Sequence, residues 1–292
     1  MSYSGEKLGD PRVSIIIPSR DGSRDGCVAR LLESIRAQSY SDYDIHLVEG
    51  VFPQGRAIND GVRQSTGSII VILDDDSRLA DGEVLARLVR SLDEDARIGM
   101  AGASIVLAPE ASAFQKRAAA QFPRFATPEV DVVADSDLAC HGCCALPRRV
   151  FDQVGGERED IVRGLDPDLR VRIRAAGYRV VLAPNACIHH PLPDGIVKLL
   201  RIFFRNGVGS AYAQKFRPET VYETHEVLDA TAFQPRTRLI YRLARFPLRL
   251  LAAMVRGQWL RLFAYSAYAF GYLWGLGTAR EISTGIHESE AA

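Results

Sequence analysis

Between Thr231 and Arg280 the chain has no acidic residue, yet it carries eight arginines there: Arg236, Arg238, Arg242, Arg245, Arg249, Arg256, Arg261 and Arg280. Formal net charge is zero, so the rest of the chain is acidic by the same amount. That imbalance excludes an evenly mixed surface and points to a face that meets an anionic partner. From Leu262 to Ala279 there is no charge of either sign. Those eighteen residues fall just short of the roughly twenty that span a bilayer comfortably. No apolar run opens the chain: Met1–Pro11 is polar, which predicts no secretory signal. Without that signal, the five cysteines are expected in a reducing, cytosolic setting rather than in a disulfide framework. Internal repeats and low-complexity segments are missing too. Apolar and charged fractions are ordinary for a globular protein, and 292 residues suffice for one large or two small domains.

What is present centres on Ser68–Asp76, S-I-I-V-I-L-D-D-D. The apolar run Ile69–Leu73 reads as a strand buried on both faces. Asp74, Asp75 and Asp76 follow at once. Three adjacent carboxylates repel one another, and a bound cation relieves that repulsion. Oxygen ligands suit Mg²⁺ or Mn²⁺. In open α/β sheets ligands sit beyond the carboxyl ends of the strands, where such a cluster can hold a metal against a phosphate. The plainer alternative is a turn or a helix cap, since D-D-D-S-R-L-A-D-G serves for either.

The flanking chain alternates. Val13–Ile17 reads as the first strand, ending at Pro18 and followed by the loop Ser19–Gly22. Val28–Gln38 has helical spacing at Val28, Leu31, Leu32 and Ile35. Ile45–Val48 is a strand closed by Glu49-Gly50, and Arg56–Gln64 is a helix. Gly82–Leu92 is a helix, and Ile98–Leu107 a strand. The resulting β-α-β-α-β-α-β order predicts a parallel, doubly wound sheet. Further on, Pro109–Gln121 reads as a helix, Phe122–Val130 as a loop, and Val130–Val133 and Ala139–Leu146 as strands. Pro147–Val154 is a short helix stopped by Gly155-Gly156. Asp166-Pro167 has the form of a helix start, with Asp at N-cap and Pro at N1. Tyr178–Ala183 is the last strand, leading to C-I-H-H at Cys187–His190.

Six segments in this order resemble the family 2 glycosyltransferases, inverting enzymes with the GT-A fold. They are V-S-I-I-I-P-S-R-D-G, G-R-A-I-N-D-G with Thr66-Gly67, I-L-D-D-D, A-L-P-R-R-V-F-D-Q-V-G-G, L-D-P-D-L-R-V-R-I-R-A-A-G-Y-R-V, and P-N-A-C-I-H-H. The resemblance runs from about Val13 to His190. It implies a GT-A type, mostly parallel sheet with a helical C-terminal region. It places a tail at 1–12, a catalytic domain at 13–230 and a basic, apolar helical region at 231–292. It also implies a D-x-D metal site at Asp74 and Asp76, completed by His190, holding Mn²⁺ or Mg²⁺. Donor-binding positions are Pro18, Ser19, Arg20, Glu49, Arg56, Asn59, Asp74 and Asp75. Asp75 is expected to face the ribose or Arg56. Asp166 is the candidate general base, and Arg148 and Asp168 lie on the acceptor side. The implied partners are a nucleotide-diphosphate sugar and a lipid-linked or glycan acceptor, with no nucleic acid. Two departures stand out. The second strand ends V-E-G-V-F where the family has D-D-G-S, and Leu165 replaces the glutamate that precedes the aspartate.

Alternatives stay open beside that reading. Arg56 and Asn59, one helical turn apart, can share a ligand or form a solvated face. Asp166 before Pro167 also looks like a simple cap. The run C-H-G-C-C at Cys140–Cys144, with Cys187 and the histidines, raises zinc. Its spacing is poor for tetrahedral ligation, so the cysteines are read as small packing residues. A nucleotidyltransferase and a non-catalytic relative are the competing functions. Ile196–Asn206 is basic and amphipathic, with Lys198, Arg201 and Arg205 near one face. Gly271, Gly275 and Gly277 permit close helix packing. The C-terminal helices are expected in the interface of an anionic membrane, at its cytoplasmic side, with a single tilted span or a helical cap on the core as alternatives.

Overall fold

The computed structural model describes residues 2–3, 10–122, 124–221 and 239–281. In chain order the elements are β1 (Ser2–Tyr3), β2 (Val13–Ser19), α1 (Cys27–Arg36), β3 (Tyr43–Glu49), α2 (Gln54–Arg63), β4 (Ile69–Ile72), β5 (Arg78–Leu79), α3 (Val84–Glu94) and β6 (Ile98–Val106). There follow α4 (Ala113–Gln121), β7 (Ala134–Asp135), β8 (Cys144–Pro147), α5 (Arg148–Gln153), α6 (Leu165–Ala175), β9 (Arg179–His189), α7 (Ile196–Phe216), α8 (Leu239–Val255) and α9 (Trp259–Thr278).

One sheet organises them, in the order β1-β3-β2-β4-β8-β6-β9-β5, with β7 paired to β9. β3, β2 and β4 run parallel, as do β6 and β9. β8 lies antiparallel between β4 and β6. The parallel order read from the sequence therefore holds for β2, β3, β4 and β6, with β8 inserted antiparallel and the two-residue strands β1, β5 and β7 pairing antiparallel at the margins. Every residue of β2 and β4 is buried, as a sheet covered on both faces requires. Alternate residues serve opposite layers. Ile15, Ile17 and Val71 pack with Leu31, Ile35, Leu85 and Leu88 of α1 and α3. Ile16, Ile70 and Ile72 pack with Ile58, Phe151, Leu169 and Ile173 of α2, α5 and α6. Two antiparallel steps through β8 leave β4, β6 and β9 pointing the same way. Their carboxyl ends, with the amino end of β8, share one sheet edge.

Several local expectations change. Ser2–Tyr3, inside the segment expected as a tail, pairs with β3. Val130–Val133 is not a strand; Ala134–Asp135 pairs with β9 instead. Of Ala139–Leu146, the residues before Cys144 form a loop that carries His141 to the sheet edge. α6 begins one residue before Asp166. Its N-cap is Gly164 in the left-handed region, φ 94°, and Asp166 lies inside the first turn. Asp166 is therefore not the cap and Pro167 is not N1: the left-handed glycine starts the helix first.

α7 and α9 pack closely. A Cβ on Gly271 would lie 2.1 Å from the Phe204 carbonyl oxygen, and one on Gly207 2.1 Å from that of Tyr268. Gly275 approaches Val208 and Ala211 in the same way, whereas Gly277 meets nothing within 4 Å. Gly277 is thus not part of the packing. Phe122 and Phe203, with ring centroids 4.9 Å apart, join Leu199, Tyr265 and Ala264 in a cluster that seats α9 against α4 and α7. Gly271→Ala must push two helix backbones apart and is expected to cost about 1–3 kcal/mol. Gly277→Ala should leave the melting temperature unchanged or raise it. Thermal melts of both variants check this. Among the described residues no helix is long and apolar enough to cross a membrane, so the single-span alternative has no helix to carry it. The boundary expected at 230 falls outside the described residues.

Candidate active site

β4 ends at Ile72, and the next residues turn over the shared edge. The Asp74 N–H donates to the His141 carbonyl (3.0 Å), and the Ser77 N–H to the Asp74 carbonyl (3.0 Å). This is the turn that D-D-D-S suggested; none of the three aspartates caps α3, whose N-cap is Glu83. Asp74, Asp76 and His190 offer ligand atoms all within 4.8 Å of one another. His190 Nε2 lies 3.2 Å from Asp76 Oδ1 and 3.9 Å from Asp74 Oδ2. Asp76 Oδ1 is buried with no aligned hydrogen bond. A buried carboxylate oxygen beside a second carboxylate and an imidazole is a donor set that fits Mn²⁺ or Mg²⁺. His189 is held away, its ring Nδ1 3.4 Å from the Val106 carbonyl.

Charge balance at the cluster is uneven. Burial pushes the Asp74 carboxyl up. Burial would raise Asp76 too, but His190 and Arg24 outweigh it and hold that carboxyl below its usual range. His190 is lowered by burial and raised further by Asp76 and Asp74, ending above its ordinary value. Arg24, outside the sequence motifs, also joins the cluster. Its guanidinium pairs with both Asp75 and Asp76 from the loop after β2. Asp75 is buried and accepts from Ser19 Oγ (2.7 Å), so it faces Ser19 and Arg24 rather than Arg56.

The other residues expected on the donor side are arranged around that loop. Ser19 Oγ accepts from the Gly22 N–H (3.1 Å). The Glu49 carboxyl lies over Gly22, 2.5 Å from where a Cβ would stand. Pro18 is buried at the end of β2, while Arg20 and Arg56 are exposed. Gln54 Nε2 donates to Asp74 Oδ1 (2.9 Å). A cavity of about 190 Å³ opens beside Asp76 and His190, its wall including Arg30, Arg78 and His189.

Asp166 comes to the same edge. Its Oδ1 accepts from the His141 N–H (2.6 Å), while the carbonyl of that residue holds Asp74. One loop residue therefore spaces Asp166 from Asp74 of the metal-competent cluster. Burial would raise the Asp166 carboxyl, but His141 and Arg170 hold it below the usual range.

Three expected site residues are engaged by partners within the protein. Arg148 donates to the carbonyls of Gly67 (2.6 Å) and Val62 (3.1 Å) and to Ser65 Oγ, at the amino end of β4, the far side of the sheet. Asp168 is buried and accepts from Arg172 Nε (2.7 Å). Asn59 holds the backbone of Glu157 at both N–H and carbonyl, each 2.9 Å. The cysteines are packing residues: burial pushes Cys140 up to about 12 and raises Cys143 and Cys144 as well. None of them joins a metal-competent group among the described residues.

A mannosyltransferase of Pyrobaculum calidifontis, PcManGT, solved in complex with GDP-Man and Mn²⁺, shares the fold, with a TM-score of 0.56 at 18% identity over 91% of this chain and 88% of that one. S. aureus TarS 1-349 gives a TM-score of 0.46 at 11% identity, covering 91% and 90%. The architecture, with its acid cluster at the sheet edge, is of the GT-A type. Residues 16–155 match the sequence model described as Glycosyl transferase family 2. The uncharacterized protein y4gI of Sinorhizobium fredii (strain NBRC 101917 / NGR234) is 26% identical over 230 residues, covering 62% of this chain. The match covers 24% of that protein, so the chain spans about a quarter of its length.

Proposed function

We propose that the chain transfers a sugar, with inversion and with a divalent metal, from a nucleotide-diphosphate donor to a hydroxyl of a lipid-linked or glycan acceptor. The observation that carries this is the convergence of Asp74, Asp76 and His190 with Asp166 on either side of His141. Mn²⁺ or Mg²⁺ on the first three would supply charge neutralisation for the departing diphosphate. Arg24, Arg30 and Arg78 add positive charge on the same side. Ser19, Glu49 and Asp75 order the loop that meets the nucleoside. Asp166 Oδ1 is taken by His141, which leaves Oδ2 to accept the acceptor's proton. A base opposite the leaving group gives inversion in one displacement. The test is the product released from a set of GDP- and UDP-sugars in Mn²⁺: nucleoside diphosphate supports transfer, and pyrophosphate refutes it.

The proposed working place is the cytoplasmic face of an anionic membrane. Leu248, Leu251, Val255, Phe270, Leu273 and Trp274 are exposed on α8 and α9, beside the exposed Arg249 and Arg256. Lys198, Arg201 and Arg205 are exposed on α7 as well. Apolar side chains bury in the headgroup boundary while each arginine contributes about 1 kcal/mol at low salt. Arg249→Glu with Arg256→Glu should weaken co-sedimentation with anionic vesicles about 10- to 1000-fold. Wild-type protein that stays in the supernatant refutes the membrane assignment.

A further inference from the structure

Glu157 is a residue that neither the motifs nor the mechanism above uses. Its side chain is fully buried, yet it is a carboxylate. It lies 2.9 Å from His141 Nε2 and 4.0 Å from a terminal nitrogen of Arg172. The other ring nitrogen of His141, Nδ1, lies 3.3 Å from Asp166 Oδ1. Glu157 and His141 are buried, so Asp166 is the only member of the chain Glu157–His141–Asp166 that reaches solvent, with a third of its side chain exposed.

Much of the surrounding fold fixes Glu157. Gly155 and Gly156 take φ of 81° and 67°, which turns the chain after α5 into the interior. Asn59 grips the Glu157 backbone on both sides. Arg172 donates to the carbonyls of Val154 (2.7 Å) and Gly156 (2.6 Å). Gly55 lets α2 approach: a Cβ there would lie 2.3 Å from the Arg158 carbonyl oxygen and 3.3 Å from Glu157 Cβ. A carboxylate set this firmly in the interior, where an unpaired charge is costly, implies a defined partner. The partner is the imidazole, which it meets as an ion pair without an aligned hydrogen bond.

We infer that Glu157 and His141 are positioning residues for Asp166. Glu157 anchors the imidazole. The imidazole and its own backbone N–H then fix Asp166 Oδ1, so that Oδ2 alone is presented to the acceptor hydroxyl. The relatives that this sequence resembles carry a glutamate next to the aspartate in the chain. Here that place is Leu165, and a carboxylate reaches the neighbourhood from residue 157 instead. This inference rests on the reading of Asp166 as the base.

The test uses the full chain with GDP- and UDP-sugars in Mn²⁺, reading nucleoside diphosphate release. Glu157→Gln alone leaves His141 without its counter-charge and can destabilise the fold. Glu157→Gln combined with His141→Gln keeps the volume and leaves no unpaired buried charge. The double variant is expected to melt near wild type, to lose about 10- to 100-fold in kcat, and to keep the donor KM. Added to Asp166→Asn, the same pair should cause no further loss, because it acts through that carboxylate. An unchanged kcat in the folded double variant overturns the inference, as does an additional loss in the Asp166→Asn background. A raised donor KM with unchanged kcat would place the pair's effect on the donor instead and also overturn it. If wild-type protein binds sugar nucleotides with Mn²⁺ but releases no nucleoside diphosphate, the transfer reading itself fails, and this one with it.

Discussion

Asp166→Asn should fold and bind donor normally while transfer slows by about 10²–10⁴-fold. The structure makes this a clean substitution. Gly164, not Asp166, caps α6, so helix initiation does not depend on the carboxylate. The asparagine side-chain oxygen can still accept from the His141 N–H, as Asp166 Oδ1 does at 2.6 Å. What disappears is the anionic oxygen proposed to take the acceptor's proton. The measurement is turnover alongside donor-induced thermal stabilisation in Mn²⁺. Near-normal turnover with normal donor binding would reduce Asp166 to a surface residue of the first helical turn.

Asp76→Ala is expected to abolish metal-dependent donor binding without unfolding the chain. Asp76 contributes the buried Oδ1 that approaches His190 at 3.2 Å, and it is held ionised by His190 and Arg24 against the effect of burial. Removing it takes away one of the three proposed ligand groups. It also relieves repulsion within Asp74–Asp76, and Asp75 keeps its pairing with Arg24, so the turn survives. Titration with Mn²⁺ and a nucleoside diphosphate reads the effect. An unchanged Mn²⁺-dependent affinity would remove the metal assignment.

Much of this site is legible in the sequence because it is local. The apolar runs of β2 and β4, the aspartates that follow β4 and the histidine after β9 are each defined by a few adjacent residues. The sheet edge gathers them once the parallel order is known. What the sequence hides depends on residues far apart in the chain. β8 slots between β4 and β6 after a long excursion, and no local pattern marks a strand's neighbours. Arg148 lies in a family segment, but the antiparallel direction of β8 carries it to the far end of the sheet. Asp166-Pro167 carries a good cap signal, yet Gly164 in the left-handed region starts the helix first. Asn59 looks like a ligand-facing helix residue and instead clamps the Glu157 backbone. His141 and Glu157 stand in different loops, and only the fold reveals their pairing. Arg24 could have been suspected from its place in the glycine-flanked loop after β2, but its two aspartate partners come from the end of another strand.

The most direct test of transfer with inversion is the anomeric configuration of the product. Wild-type protein, Mn²⁺ and the sugar nucleotide that gives turnover would be followed by NMR from the first minutes, with water or a glycan as acceptor. The account predicts nucleoside diphosphate as the released product and a sugar whose anomeric configuration is opposite to that of the donor, with the signal lost in EDTA. Retained configuration, or full turnover in the presence of EDTA, would contradict it.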